Sequence, residues 1–271
     1  MQAKPNGAGT RDESWLERRR RRAMAWWGAR MHRTPPPARP QLALFCDCEG
    51  HFAGEHAAPF ADAGVERLLN LLASRHLHIT FNVVAELCRS HRARIQRIAA
   101  AGHEIGCHGW RHERPRGLDR RGLEETLAQA RGCYESLGLS VCGFRSPESA
   151  WSAALMRALP RHGFVWNAEG DRAAGPYRMG AVVRLPVTTD DWDLVDGSAE
   201  AGALLERWRL QLDARVRRGG VLCIGVHDWV VGRDGEFARR LEAWVDEVVQ
   251  GKSAEVTTLC RVAHRVAVGS R

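Results

Sequence analysis

From residue 41 to about 265, short apolar runs alternate with stretches whose apolar residues recur at helical spacing. The run Leu42–Cys46 opens the series and has the composition of a strand buried on both faces. Val65, Leu68, Leu69 and Leu72 form a helical stripe behind it. A second strand is expected over 78–84, followed by a helix to about Ala100, and a third over His103–Cys107. Leu123, Leu127, Ala130, Tyr134 and Leu137 mark the next helix, before short strands at 142–144, 164–166 and 182–185. Between the first two of these, a helix is expected from about Trp151. Leu205, Trp208 and Leu212 predict a helix leading to a β-prone run at 221–226, and Phe237, Leu241, Trp244, Val245 and Val248 predict a last large one. Repeated strand–helix units with strands this apolar imply a parallel sheet covered by helices. The expected fold class is therefore α/β, an irregular (β/α) barrel of about seven parallel strands, closed or nearly so.

Composition changes the picture mainly at the N-terminus. The chain has 271 residues and a net charge of +8. Residues 1–40 hold Lys4 and nine arginines against Asp12, Glu13 and Glu17, so seven of those charges lie in an arm that ends in a proline run. The expected organisation is a flexible basic arm over 1–40 and a nearly neutral barrel over 41–271. Trp15, Trp26 and Trp27 flank the arginine block, a mixture suited to an anionic membrane surface. Nucleic acid is a poorer partner, because the basic charge does not extend onto the barrel. No segment approaches the roughly 20 apolar residues of a membrane span. The apolar stretch before Arg30 is too short and mixed for an export signal. The expected compartment is the cytoplasm, with peripheral attachment to the membrane left open. The eight cysteines contain no Cys-x-x-Cys pair, and Cys46, Cys48 and Cys223 fall inside strands, as reduced core thiols do.

Candidate chemistry collects where the strands end, because a parallel barrel gathers its functional groups on the C-terminal face. The first strand delivers Asp47 and Glu49, the third His108, the fourth Arg145-Ser146-Pro147-Glu148. The sixth leads into Asp190-Asp191-Trp192 and the seventh ends in His227-Asp228-Trp229. His108 and His112, four apart, are expected on one side of a single helical turn, where two imidazoles can grip one cation if a third ligand joins them. Strand alternation turns Asp47 and Glu49 to one side and Cys46 and Cys48 to the other. Buried, the acids need a metal, an arginine or water; a solvated turn and a thiolate zinc site using the cysteines with His108 are the competing readings.

The stretch Gly102–His112 resembles the histidine motif of the polysaccharide deacetylase family, the NodB-homology domain of carbohydrate esterase family four. Ile79-Thr80-Phe81-Asn82 is similar to the strand that precedes that motif, and Arg145-Ser146-Pro147 to the family's Arg-x-Pro. His227-Asp228-Trp229-Val230-Val231-Gly232-Arg233 resembles its last motif, with Asp228 in place of proline. The family's adjacent aspartates are replaced by Asp47-Cys48-Glu49, which leaves the division of labour between the two acids open. The resemblance covers about residues 41–265 and implies a NodB-like barrel. It also implies a divalent metal held by Glu49, His108 and His112, with Asp47 as general base. Zinc is the first choice, and cobalt, nickel and manganese are alternatives. In that scheme Asp191 keeps His227 protonated for the leaving amine, and Arg145 pairs with Asp47. Ser146, Pro147, Trp192 and Trp229 lie with the substrate, the tryptophans as faces for a sugar ring.

The function expected is removal of an N-acetyl or N-formyl group from an amino sugar or glycoconjugate, intracellular or lipid-linked. The alternatives are a barrel of the same fold that opens a non-sugar amide or ureide, and a glycan-binding barrel without catalysis.

Overall fold

The computed structural model describes residues 15–31, 36–171 and 173–268. Seven parallel strands close into a barrel: β1 (Gln41–Cys48), β2 (Thr80–Val83), β3 (Glu104–Cys107), β4 (Gly143–Arg145), β5 (Trp166–Gly170), β7 (Val182–Thr189) and β8 (Val221–His227). Closure comes from β1, which pairs with β2 on one side and with β8 on the other. All seven expected strands are present. The fifth is shifted towards its C-terminal end, beginning at Trp166 rather than Phe164. Two strands escape the sequence pattern because they are so short: β6 (Tyr177–Met179), antiparallel to β7, and β9 (Glu255–Val256), beside the start of β1.

The helices pack outside the strands: α2 (Ala58–Ala73), α3 (Leu87–Ser90), α4 (Arg92–Ala100), α5 (Arg120–Glu135), α6 (Ala153–Ala158), α7 (Trp192–Val195), α8 (Ala201–Arg218), α9 (Asp228–Arg233) and α10 (Gly235–Gln250). Side chains alternate along β1. Leu42, Leu44, Cys46 and Cys48 face the helix layer, while Ala43 and Phe45 face inward with Trp166, Leu185 and Val187. That alternation turns Asp47 inward and removes Cys46 and Cys48 from the site, which disposes of the thiolate alternative. Trp208, Trp244 and Phe237 fill the space between α8 and α10, ring centroids about 6 Å apart. Truncating such a ring to alanine typically costs about 3–5 kcal/mol.

Two further helices differ from expectation. Within the basic arm lies helix α1 (Trp15–Met31), with Gly28 buried against the ring of Tyr177. Leucine, alanine, methionine and arginine are good helix formers, and this docking contact fixes one side. The last described helix is α11 (Leu259–Val268), whose Leu259, Val262, Ala263 and Val266 close the barrel base. Among the described residues, no helix is long and apolar enough to cross a membrane.

Candidate active site

The strand ends meet as their sequence positions require. Asp47, on β1, accepts a hydrogen bond from Asn82 Nδ2 at 2.8 Å and another from Arg145 Nε at 3.2 Å. Asn82 lies opposite Asp47 in the β1–β2 register. It fits only because residue 106 is glycine, since a Cβ there would fall 2.3 Å from its side-chain oxygen. Arg145, fully enclosed, also lies 3.7 Å from Glu169 and 3.8 Å from Asp190. Burial by itself would raise the Asp47 pKa, but His108, Arg145 and His227 together hold it below the ordinary aspartate value.

Glu49 follows β1 and reaches three imidazoles. Its Oε1 lies 2.9 Å from His112 Nε2, 3.4 Å from His108 Nε2 and 3.8 Å from His227 Nε2. The other oxygen accepts the indole N–H of Trp229 at 3.2 Å. Burial opposes ionisation here too, yet His112 and His227, the former with a hydrogen bond, keep the pKa well below the usual carboxylate range.

His108 and His112 do not share a helical turn, as their spacing suggested. The chain after β3 turns at Gly109 with φ +80°, and His112 itself is left-handed at φ +65°. The two rings still converge, with centroids 5.1 Å apart. Glycine at 109 adopts that conformation without cost, whereas His112 is strained.

His227 closes the site. Its Nδ1 lies 2.5 Å from Asp191 Oδ1, and its backbone N–H donates to Asp191 Oδ2 at 2.9 Å. Burial disfavours the imidazolium, but the charges of Asp191 and Glu49 raise the pKa well above the ordinary histidine value. Trp192, 46% exposed, stands over the edge of His227 at 5.9 Å. Trp229, expected as a second stacking face, is only 1% exposed and presents its N–H to Glu49 instead. Ser146 and Pro147 are buried, and the Ser146 hydroxyl is taken by Glu169.

Three of the groups have no role that the sequence signals. Asn82 and Glu169 act across strands, and only register reveals them. Asp228 accepts from the backbone N–H groups of Gly50 and Trp229, tying β1's exit loop to α9. Burial, with Glu49 nearby, raises its pKa to about 6.

Glu49, His108 and His112 form a group able to hold a metal ion. The chemistry of the donors fits one. His108 Nδ1 lies 2.9 Å from the Arg145 carbonyl oxygen, which can only accept. A neutral His108 therefore carries its proton on Nδ1 and aims the Nε2 lone pair at the Glu49 carboxylate. Two acceptors face each other, an arrangement that a bound cation relieves.

A family model for polysaccharide deacetylases matches residues 57–166, a segment that contains Asn82, His108, His112 and Arg145. A peptidoglycan deacetylase of Helicobacter pylori is 28% identical over 156 residues, 56% of this chain and 48% of the relative. The chain thus spans about half the length of that relative. Among solved structures, a putative polysaccharide deacetylase from Mycobacterium smegmatis superposes with a TM-score of 0.79 at 24% identity, covering 88% of this chain and 96% of the other. Puue allantoinase superposes at 0.76 and 20% identity, covering 87% and 94%. At these identities the two structures establish the NodB-like barrel fold and no more.

Proposed function

Because the chain matches the polysaccharide deacetylase family, we propose that it is a metal-dependent hydrolase removing an N-acyl group, acetyl or formyl, from an amino sugar or glycoconjugate. The observation that carries this reading is the convergence of Glu49, His108 and His112 on one point beside Asp47 and His227. A divalent cation held by those three residues, zinc before cobalt, nickel or manganese, would polarise the acyl oxygen and acidify the attacking water.

The other steps belong to the protein's own groups. Asp47 takes a proton from the attacking water, kept ionised by Arg145 and oriented by Asn82. His227 gives its proton to the departing nitrogen, and Asp191 holds the ring in the donor orientation. Water's oxygen ends on the released acylate and the amine leaves protonated. Trp192 offers a half-exposed indole face beside His227 for a sugar ring.

The test is a mass-spectrometric screen of the purified protein against N-acetyl and N-formyl amino sugars, free, nucleotide-linked, lipid-linked and from peptidoglycan. Release of acetate or formate that stops on chelation and returns with zinc supports the proposal. Turnover of a ureide alone would move the activity to a different amide. Glycan binding without turnover in metal-loaded protein would leave a binding barrel.

A second partner is proposed for α1. Its outer face exposes Trp15, Leu16, Trp26 and Trp27 among Arg19, Arg20, Arg22 and Arg30. Tryptophan with arginine suits the headgroup layer of an anionic membrane.

A further inference from the structure

At the opposite end of the barrel from Asp47 lies a second group of ligand-type side chains. Glu104 opens β3, Cys142 immediately precedes β4, and Cys260 sits in the first turn of α11. One ligand atom from each lies within 4.8 Å of the others. We infer that Cys142, Cys260 and Glu104 form a second metal site, for a thiophilic divalent cation such as zinc, fastening α11 to the barrel base. This inference does not depend on the deacetylase reading.

Three observations carry it. The sulfurs of Cys142 and Cys260 lie 3.5 Å apart. Two thiolates on one tetrahedral zinc, each with a bond of about 2.3 Å, stand about 3.7–3.8 Å apart. A disulfide would need about 2.05 Å. The pair is therefore spaced much more like two ligands of a common ion than like a disulfide.

Glu104 supplies the second observation. It accepts hydrogen bonds from the Thr80 hydroxyl at 2.5 Å, the Cys260 N–H at 2.9 Å and the Trp166 indole at 3.1 Å, all neutral donors. Among the described residues, no ion pair compensates this partly buried carboxylate. Two of these bonds fall on Oε2 and the indole bond on Oε1, and the Thr258 hydroxyl is a further neutral donor to the carboxylate. Even partly buried, a carboxylate without a counter-charge is disfavoured, and a metal would provide one.

The third is access. Cys142 and Cys260 are both only partly buried, so an ion can enter and water can complete its coordination. Binding replaces two thiol protons with one divalent ion, releasing both protons to solvent, so affinity rises with pH. The remaining cysteines do not join such a group among the described residues.

The catalytic group contains no sulfur, which gives a clean readout. Full-length protein, kept reduced with a non-thiol reductant, is titrated with cadmium, then cobalt, and thiolate-to-metal charge-transfer absorbance is recorded. The expected band saturates at one site per chain, survives His112→Ala and disappears in Cys142→Ser and Cys260→Ser, with circular dichroism confirming that each variant is folded. If a serine variant does not fold, protection of Cys142 and Cys260 from alkylation by bound cadmium in the wild-type protein is the equivalent measurement. Absence of the band and of protection in folded wild-type protein overturns the site. So does a band that persists in both serine variants, or a Cys142–Cys260 disulfide that forms in the presence of zinc.

Discussion

Trp229 Nε1 lies 3.2 Å from Glu49 Oε2, while Oε1 of the same carboxylate lies 2.9 Å from His112. A residue expected as a stacking face is thus a support for a proposed ligand. Trp229→Phe keeps most of the ring and removes the donor, leaving Glu49 free to rotate. Loss of such an outer hydrogen bond typically costs 10–100-fold in metal affinity. Zinc competition with a chromophoric chelator should show a weaker site of about that size. Unchanged affinity would mean that Glu49 is held by its other contacts.

The two acids should separate in mutants. Asp47→Asn leaves Glu49, His108 and His112 in place, so metal content should persist while kcat falls about 10²–10⁴-fold, the usual contribution of a general base. Glu49→Gln weakens a proposed ligand and should lower both metal content and turnover. Elemental analysis of the folded variants beside their kinetics gives the answer. Reversed phenotypes would exchange the roles and leave the reaction class standing.

Much of this site could be read from the chain because its residues sit at the ends of apolar runs. Leu42–Cys46 announces β1, and alternation then fixes the side on which Asp47 emerges. His108 follows β3 for the same reason. What could not be read depends on partners distant in sequence. Asn82 meets Asp47 only through the β1–β2 register, and Glu169 meets Arg145 only after β4 and β5 pair. The left-handed backbone of His112 gives only a faint local signal, because positive φ is uncommon for any residue but glycine. Helix α1 was hidden by Arg18–Arg22, whose like charges weaken an isolated helix. Its contact between Gly28 and Tyr177 joins residues far apart in the sequence.

The pH profile should report His227 and Asp47. The donor form of His227 is the protonated one, and its pKa is raised well above the ordinary value. Activity should therefore be present below that pKa and be lost as pH rises through it. Asp47 must be ionised, and its pKa is lowered, so activity should fall only when pH drops below the ordinary aspartate value. Asp191→Asn removes the neighbouring charge that most raises the His227 pKa. Its alkaline limb should move to lower pH while the acid limb stays in place. A kcat profile for wild type and variant decides this, and an unmoved alkaline limb would separate that limb from His227.

The last prediction concerns α1. One face packs on the barrel through Gly28 and Tyr177, so deleting the arm would uncover Tyr177 and confuse the result. The outer face can be changed without touching that contact. Arg19 stands over the Trp15 ring at 5.2 Å and Arg30 over Trp26 at 5.7 Å, so indoles and guanidinium groups are presented together. Each arginine near an anionic surface contributes about 1 kcal/mol, and tryptophan settles at the interface. The triple variant Trp15→Ala, Trp26→Ala, Trp27→Ala should lose most binding to phosphatidylglycerol vesicles in sedimentation. Wild-type binding should weaken with salt and be slight on zwitterionic vesicles. Metal content and turnover of a soluble minimal substrate should not change, because none of these residues reaches the strand ends. Equal sedimentation of wild type and variant with anionic vesicles would remove the membrane from the account and leave α1 as a helix that serves the barrel alone.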